Sequence, residues 1–217
     1  MSVKVKICGL TSAADIEAIN ACKPDYVGFV FYPQSRRYIM PQAAARLCSM
    51  VLPRIKKVGV FVDENIDFVI NTAKLCNLDI VQLHGKEPPS YCSCFDTEVW
   101  KAVAVNDSSF SKIIKRIKRY ECVINCFVLD KQSWKCAGGT GEVFNWELAK
   151  NFGDMKKIIL AGGLNMYNVE QAVKIVRPYC VDVSSGVEVS GRKDLLKIKS
   201  FIETVRNLSL GGRKYFE

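Results

Sequence analysis

Short stretches of this 217-residue sequence carry side chains able to do chemistry: Cys8, Tyr32 to Tyr38 with its two arginines, Asp63, His84-Gly85, Asn106, Asp130, Gly162-Gly163 and Ser184-Ser185-Gly186. A thiol, an imidazole and several carboxylates are the groups that transfer protons or attack as nucleophiles. The two glycine-bearing stretches suit another task. Glycine lets backbone N–H groups approach phosphate oxygens closely, and a helix N-terminus beyond them adds a favourable dipole. Gly162, Gly163, Ser184, Ser185 and Gly186 are therefore the expected phosphate cradle, against the plainer reading of a tight turn and helix-capping serines. His84 is the only histidine. Gln82 precedes it by two residues in an extended run, so both project to one side.

Something must bring these stretches together. Each follows a short β-branched or apolar run: Val3 to Ile7, Tyr26 to Phe31, Lys57 to Val62, Ile80 to Leu83, Val99 to Val105, Val123 to Leu129, Ile158 to Leu160 and Val181 to Val183. Segments with helical period lie between them. Ser12-x-x-Asp15 has the outline of a capping box before Ile16 and Ile19. Asn165 is the expected N-cap of a helix carrying Val169, Ala172, Val173 and Val176 on one face and stopped by Pro178. Leu195, Ile198, Ile202 and Val205 mark the last helix. The weakest follows Pro88-Pro89. Dividing 217 residues among eight units gives about 27 each, enough for a strand, a short helix and two loops. An α/β fold of the minimal (β/α)8 TIM-barrel type is expected, as a single domain over 1–207 with a tail at 208–217. An open dinucleotide-binding sheet would place a glycine-rich turn after its first strand, and Cys8-Gly9-Leu10-Thr11 has one glycine. In a barrel, strand ends converge on one face, where the stretches above belong.

Composition narrows the classes. Apolar residues make up 49% and charged residues 24%, too apolar for disorder. The run Tyr26 to Tyr32 falls far short of the ~20 residues a membrane span needs, and Val3, Val5 and Ile7 alternating with Lys4 and Lys6 lack the continuous apolar stretch of a signal peptide. A cytoplasmic protein with no membrane partner is expected. The ten cysteines are scattered, so most should be reduced and buried. Neither Cys92-x-Cys94 nor Cys122-x3-Cys126 has a second pair at zinc spacing, so no metal is expected. The net charge of +9 suits an anionic partner: nucleic acid, an acidic protein or a small phosphorylated metabolite.

Six segments together resemble the phosphoribosylanthranilate isomerase family. They are Lys6-Ile7-Cys8-Gly9-Leu10-Thr11, Gly28 through Ile39, Val81-Gln82-Leu83-His84-Gly85, Gly138-Gly139-Thr140-Gly141, Ala161-Gly162-Gly163-Leu164-Asn165 and Val181 through Glu188. The resemblance implies an Amadori rearrangement of phosphoribosylanthranilate in tryptophan biosynthesis, with neither cofactor nor metal, on a small substrate bearing a phosphate and a carboxylate. It also implies roles: Cys8 as the base, Asp130 as the acid, and Arg37 as the arginine reaching the anthranilate or sugar, with Arg36 left as a solvated neighbour. His84 and Gln82 become polar lining residues. Asp182 either touches the substrate or orients the surroundings of Cys8. A free thiol near pKa 8.5 is little ionised at pH 7, so cationic neighbours are expected to lower that of Cys8. The sequence departs from the family pattern at Glu142 and at Ser190-Gly191, where proline-glycine is more usual. The long segment from Lys131 to Asn145 suits a mobile lid.

Two other readings compete. A related isomerase also serves histidine biosynthesis, but it uses aspartate for both proton transfers, and Cys8 argues against it. A nucleic-acid binder would use Lys112, Lys115, Arg116, Lys118 and Arg119; the interleaved Ile113, Ile114, Ile117 and Tyr120 instead make that segment an ordinary outer helix, so no nucleic acid is expected. Assembly is left open, with a monomer favoured.

Overall fold

A computed structural model describes residues 2–105, 110–130, 145–150, 152 and 157–211. Eight parallel strands close into a barrel in sequence order: β1 Lys4–Cys8, β2 Tyr26–Val30, β3 Lys56–Phe61, β4 Ile80–Leu83, β5 Glu98–Ala104, β6 Cys126–Asp130, β7 Lys157–Leu160 and β8 Cys180–Val183. The helices between and after them are α1 Ala13–Cys22, α2 Pro41–Met50, α3 Ile66–Leu75, α4 Pro89–Cys92, α5 Phe110–Tyr120, α6 Glu147–Lys150, α7 Val169–Val176 and α8 Leu195–Gly211. α8 continues past Asn207, the expected end of the barrel domain. A small hairpin, β9 Glu188–Val189 with β10 Arg192–Lys193, follows β8 and was not expected.

Strand side chains alternate between two burial sites. Val5, Ile7, Val27 and Phe29 pack outward in the large core beneath the helices. The lumen holds a separate cluster that includes Tyr26, Val58, Ile80, Trp100, Cys126, Val128, Ile159 and Cys180. Period two then assigns Gln82 and His84 above Ile80, Asp130 above Val128, and Asp182 and Ser184 above Cys180 to the lumen side. β1 follows the same rule: Lys6 is paired in register with Tyr26 and Asp182, and Cys8 with Gly28. Gly28 is needed there, because a Cβ at that position would sit 2.7 Å from the Cys8 Sγ.

The capping box is present: the Ser12 hydroxyl accepts from the Asp15 amide at 3.2 Å and the Asp15 carboxylate accepts from the Ser12 amide at 3.0 Å. On α5, Ile113, Ile117 and Tyr120 are buried while Lys115, Arg116, Lys118 and Arg119 are exposed, so the basic residues are a solvated outer face. Other expectations need correction. β6 begins at Cys126 because Val123 is still in the turn after α5, its amide bonded to the Tyr120 carbonyl. Asn165 does not cap α7. That helix starts at Val169 with Asn168 as N-cap, and the Asn165 carbonyl side chain instead accepts from the Tyr167 amide at 2.9 Å.

None of the cysteines among the described residues forms a disulfide; Cys48, Cys76, Cys92, Cys126 and Cys180 are buried, whereas Cys94 and Cys122 are exposed. No described helix is long and apolar enough to cross a membrane.

Candidate active site

The carboxyl ends of β1, β4, β6 and β8 bring Cys8, Gln82, His84, Asp130 and Asp182 to one end of the lumen. Gln82 Nε2 lies 3.2 Å from His84 Nδ1, and His84 Nε2 lies 3.5 Å from Asp130 Oδ2, so the three form a chain from the end of β4 across the mouth of the barrel to the end of β6, past β5. Two polar atoms, Gln82 Oε1 and Asp182 Oδ1, are buried without a hydrogen-bond partner among the described residues. Leaving such groups unpaired costs free energy, which marks this end of the lumen as built to receive polar atoms.

Lys6 lies below Cys8 on the same side of β1 and is fully buried. Its ammonium donates to Asp182 Oδ2 at 2.6 Å, across the β1–β8 seam. Desolvation alone would push this lysine down, but its contacts, those with the Asp182 carboxylate foremost, outweigh it and hold it protonated. Burial pushes the Asp182 carboxyl up, against the pull of Lys6. It also pushes the Cys8 thiol up, and the opposing charges of Lys6 and Lys193 do not overcome it. The cations expected from the sequence are therefore present, yet the net shift is the reverse of the expectation, because a thiolate at this depth loses more hydration than the two ammonium groups return.

Arg37 projects from the β2–α2 loop and is paired side-on with Glu188, Nε to Oε1 at 2.7 Å and Nη2 to Oε2 at 3.0 Å. Arg36 reaches the same carboxylate, Nη2 to Oε2 at 3.0 Å. Arg36 is half-exposed, as a solvated neighbour would be, and is also tethered by that ion pair. Lys193 on β10 donates to Glu188 Oε1 at 2.8 Å and to the Ser184 carbonyl at 3.0 Å. The surrounding cations hold the Glu188 carboxyl below its ordinary value despite its burial.

The two loops expected to receive a phosphate lie side by side at one corner. Gly162 and Gly163 have φ of 82° and 68°, backbone that favours glycine, and a β-bridge between Asn165 and Gly186 joins their loop to the one after β8. Ser185 turns that second loop, its carbonyl accepting from the Glu188 amide at 3.0 Å. Two details differ from the sequence reading. The α7 N-terminus begins only at Val169 rather than at the glycine pair, and the Ser184 hydroxyl donates to the Cys8 carbonyl at 2.8 Å, tying β8 to β1. The serines cap no helix, since the chain runs on into the β9–β10 hairpin. Ser190 and Gly191 turn that hairpin with φ of 49° and 80°. Proline, fixed near −65°, does not fit the first of these positions.

Lys6, Glu188 and Lys193 make buried contacts around the site that the sequence reading left unassigned. A lysine beside Cys8 on a strand buried on both faces was the available signal for Lys6. Asn106 and the segment 131–144, with Thr140, Gly141 and Glu142, lie outside the described residues, so the lid expectation does too. Among the described residues no group of three or more His, Cys, Asp or Glu side chains is placed to hold a metal ion.

Comparison with known proteins gives a consistent picture. Residues 5–204 match the family described as N-(5'phosphoribosyl)anthranilate (PRA) isomerase. An N-(5'-phosphoribosyl)anthranilate isomerase from Thermoanaerobacter sp. strain X514 is 49% identical over 207 residues, covering 95% of this chain and 99% of the relative. One from Clostridium acetobutylicum is 45% identical over 207 residues, covering 94% and 98%. Among solved structures, phosphoribosyl anthranilate isomerase from Thermotoga maritima aligns with a TM-score of 0.85 at 39% identity, covering 94% of this chain and 99% of that one. A phosphoribosyl anthranilate isomerase in complex with reduced 1-(o-carboxyphenylamino)-1-deoxyribulose 5-phosphate aligns with a TM-score of 0.82 at 38% identity and the same coverage.

Proposed function

The chain belongs to the N-(5'-phosphoribosyl)anthranilate isomerase family, and we infer that it catalyses the Amadori rearrangement of phosphoribosylanthranilate to 1-(2-carboxyphenylamino)-1-deoxyribulose 5-phosphate in tryptophan biosynthesis. The observation that carries the reading is the placement of a thiol, Cys8, and a carboxyl, Asp130, on non-adjacent strands whose ends face one lumen.

Asp130 donates a proton to the ribose ring oxygen as the anthranilate nitrogen pushes its lone pair toward C1′. The C1′–O bond breaks and a protonated Schiff base forms. The Cys8 thiolate then removes the C2′ proton, and the electron pair moves to give an enaminol, which tautomerises to the aminoketose. Lys6 and Lys193 oppose the desolvation of that thiolate. His84, 3.5 Å from Asp130, orients the acid, while Gln82 Oε1 and Asp182 Oδ1 offer acceptors to sugar hydroxyls. The backbone at Gly162, Gly163, Ser184, Ser185 and Gly186 receives the phosphate, and Arg37 the anthranilate carboxylate. The excess positive charge draws in such a doubly anionic substrate. Membership of a biosynthetic enzyme family acting on a phosphorylated intermediate supports a cytoplasmic location.

The test is a fluorescence assay on freshly generated phosphoribosylanthranilate with Cys8→Ser and Asp130→Asn. Each removes a proton-transfer group and is expected to lower kcat by about 100-fold or more. Turnover close to wild type in either variant overturns the role given to that residue.

A further inference from the structure

Glu188 stands where three cations from two separate segments meet, and its position bears on substrate selection. Its carboxylate is buried, takes Nε and Nη2 of Arg37, Nη2 of Arg36 and Nζ of Lys193, and sits on the first strand of the hairpin after β8. A guanidinium has two edges able to grip a carboxylate in parallel, and Glu188 fills the one that contains Nε. Among the described residues the Arg37 guanidinium has no acceptor other than Glu188, so the edge formed by Nη1 and Nη2 is the one left to a ligand. Side-on pairing also fixes the plane of the guanidinium, which a single point contact would not do. The network extends to the catalytic strand: Lys193 donates to both oxygens of Ser184, at 3.0 Å and 3.3 Å, and the Ser184 hydroxyl donates to the Cys8 carbonyl.

We propose that Glu188 is a positioning residue that sets specificity for a carboxylated aryl group, by holding Arg37 with its free edge turned to the ligand. The proposal rests on the reading above, in which Arg37 receives the substrate carboxylate. A side chain that only stapled the hairpin to the β2–α2 loop would affect all ligands alike. One that orients Arg37 affects only ligands bearing the carboxylate.

That difference is measurable by calorimetric titration with two probes: reduced 1-(o-carboxyphenylamino)-1-deoxyribulose 5-phosphate and its counterpart lacking the ring carboxylate. In Glu188→Gln the carboxylated probe is expected to bind about tenfold more weakly, while the other is unchanged. KM for phosphoribosylanthranilate should rise by a similar factor with kcat nearly preserved. Glu188→Asp, which keeps the charge but shortens its reach, should give a smaller loss with the same selectivity, and it carries the test if the amide variant does not fold. Arg37→Ala serves as the reference. If it weakens both probes equally, the assignment of Arg37 to the carboxylate fails and the proposal falls with it. If Arg37→Ala is selective but the Glu188 variants weaken both probes equally, or neither, the proposal alone is overturned.

Discussion

Replacing Lys6 by methionine should unfold much of what holds the β1–β8 seam. Lys6 is fully buried, Asp182 is 8% exposed, and the pair is 2.6 Å apart. At an effective dielectric of about 20 their attraction is about 6 kcal/mol. Part of that is returned, because methionine needs no desolvation and fills a similar volume. What remains is a buried carboxylate with one oxygen already unpartnered and the other newly so. Breaking a buried pair in this way typically costs about 3–5 kcal/mol, a melting-point drop of roughly 6–20 °C for a chain of this size. The loss should depend on pH with a defined sign. Without Lys6 the Asp182 carboxyl rises further above its unfolded value, so the folded state holds the proton more tightly than the unfolded one. Stability then falls as pH rises, and the deficit is largest at neutral and alkaline pH and fades as pH drops toward the carboxylate range. Urea denaturation at pH 5 and pH 8 measures this directly. The double variant Lys6→Met with Asp182→Leu removes both charges and should recover most of the stability. A deficit below about 1 kcal/mol at pH 8, or one that does not shrink at pH 5, refutes the reasoning.

Other expectations concern packing and capping. In Gly28→Ala the new methyl lies 2.7 Å from the Cys8 Sγ and 3.2 Å from its Cα, so β1 and β2 must part; a stability loss of about 1–3 kcal/mol is expected. Displacement of the thiol should lower kcat on the order of 100-fold, and retained turnover would show that the site tolerates the shift. Ser12→Ala removes the acceptor for the Asp15 amide and should cost about 1 kcal/mol in equilibrium denaturation with no effect on kcat. An unchanged midpoint would mean that the cap contributes nothing to α1.

Much of the architecture depends on local spacing and was therefore readable in advance. The β-branched runs recur at an interval that allows one strand and one helix each. A strand keeps its side-chain parity along its whole length, so Gln82 had to follow Ile80, and Asp130 had to follow Val128, to the lumen. The Ser12 capping box and the buried stripe of α5 follow from contacts within a few residues. The boundaries that differed, at β6 and α7, turned on single turns in which Val123 and Asn165 bond to near neighbours instead of continuing the regular pattern.

The sequence by itself determined which residue types could transfer protons and that a barrel would gather them at one end. Only the tertiary structure decided which charges surround them. Lys6 and Asp182 are 176 positions apart and meet because β8 closes on β1. Alternation along β1 could not distinguish a lysine facing solvent from one sealed in the lumen. The direction in which the Cys8 thiol shifts follows from depth of burial weighed against two cations, quantities fixed by the closed barrel. Glu188 is similar in part: Lys193 meets it across the local β9–β10 hairpin, but Arg36 and Arg37 come from the loop after β2, more than 150 positions away, and only chain closure brings them to that carboxylate.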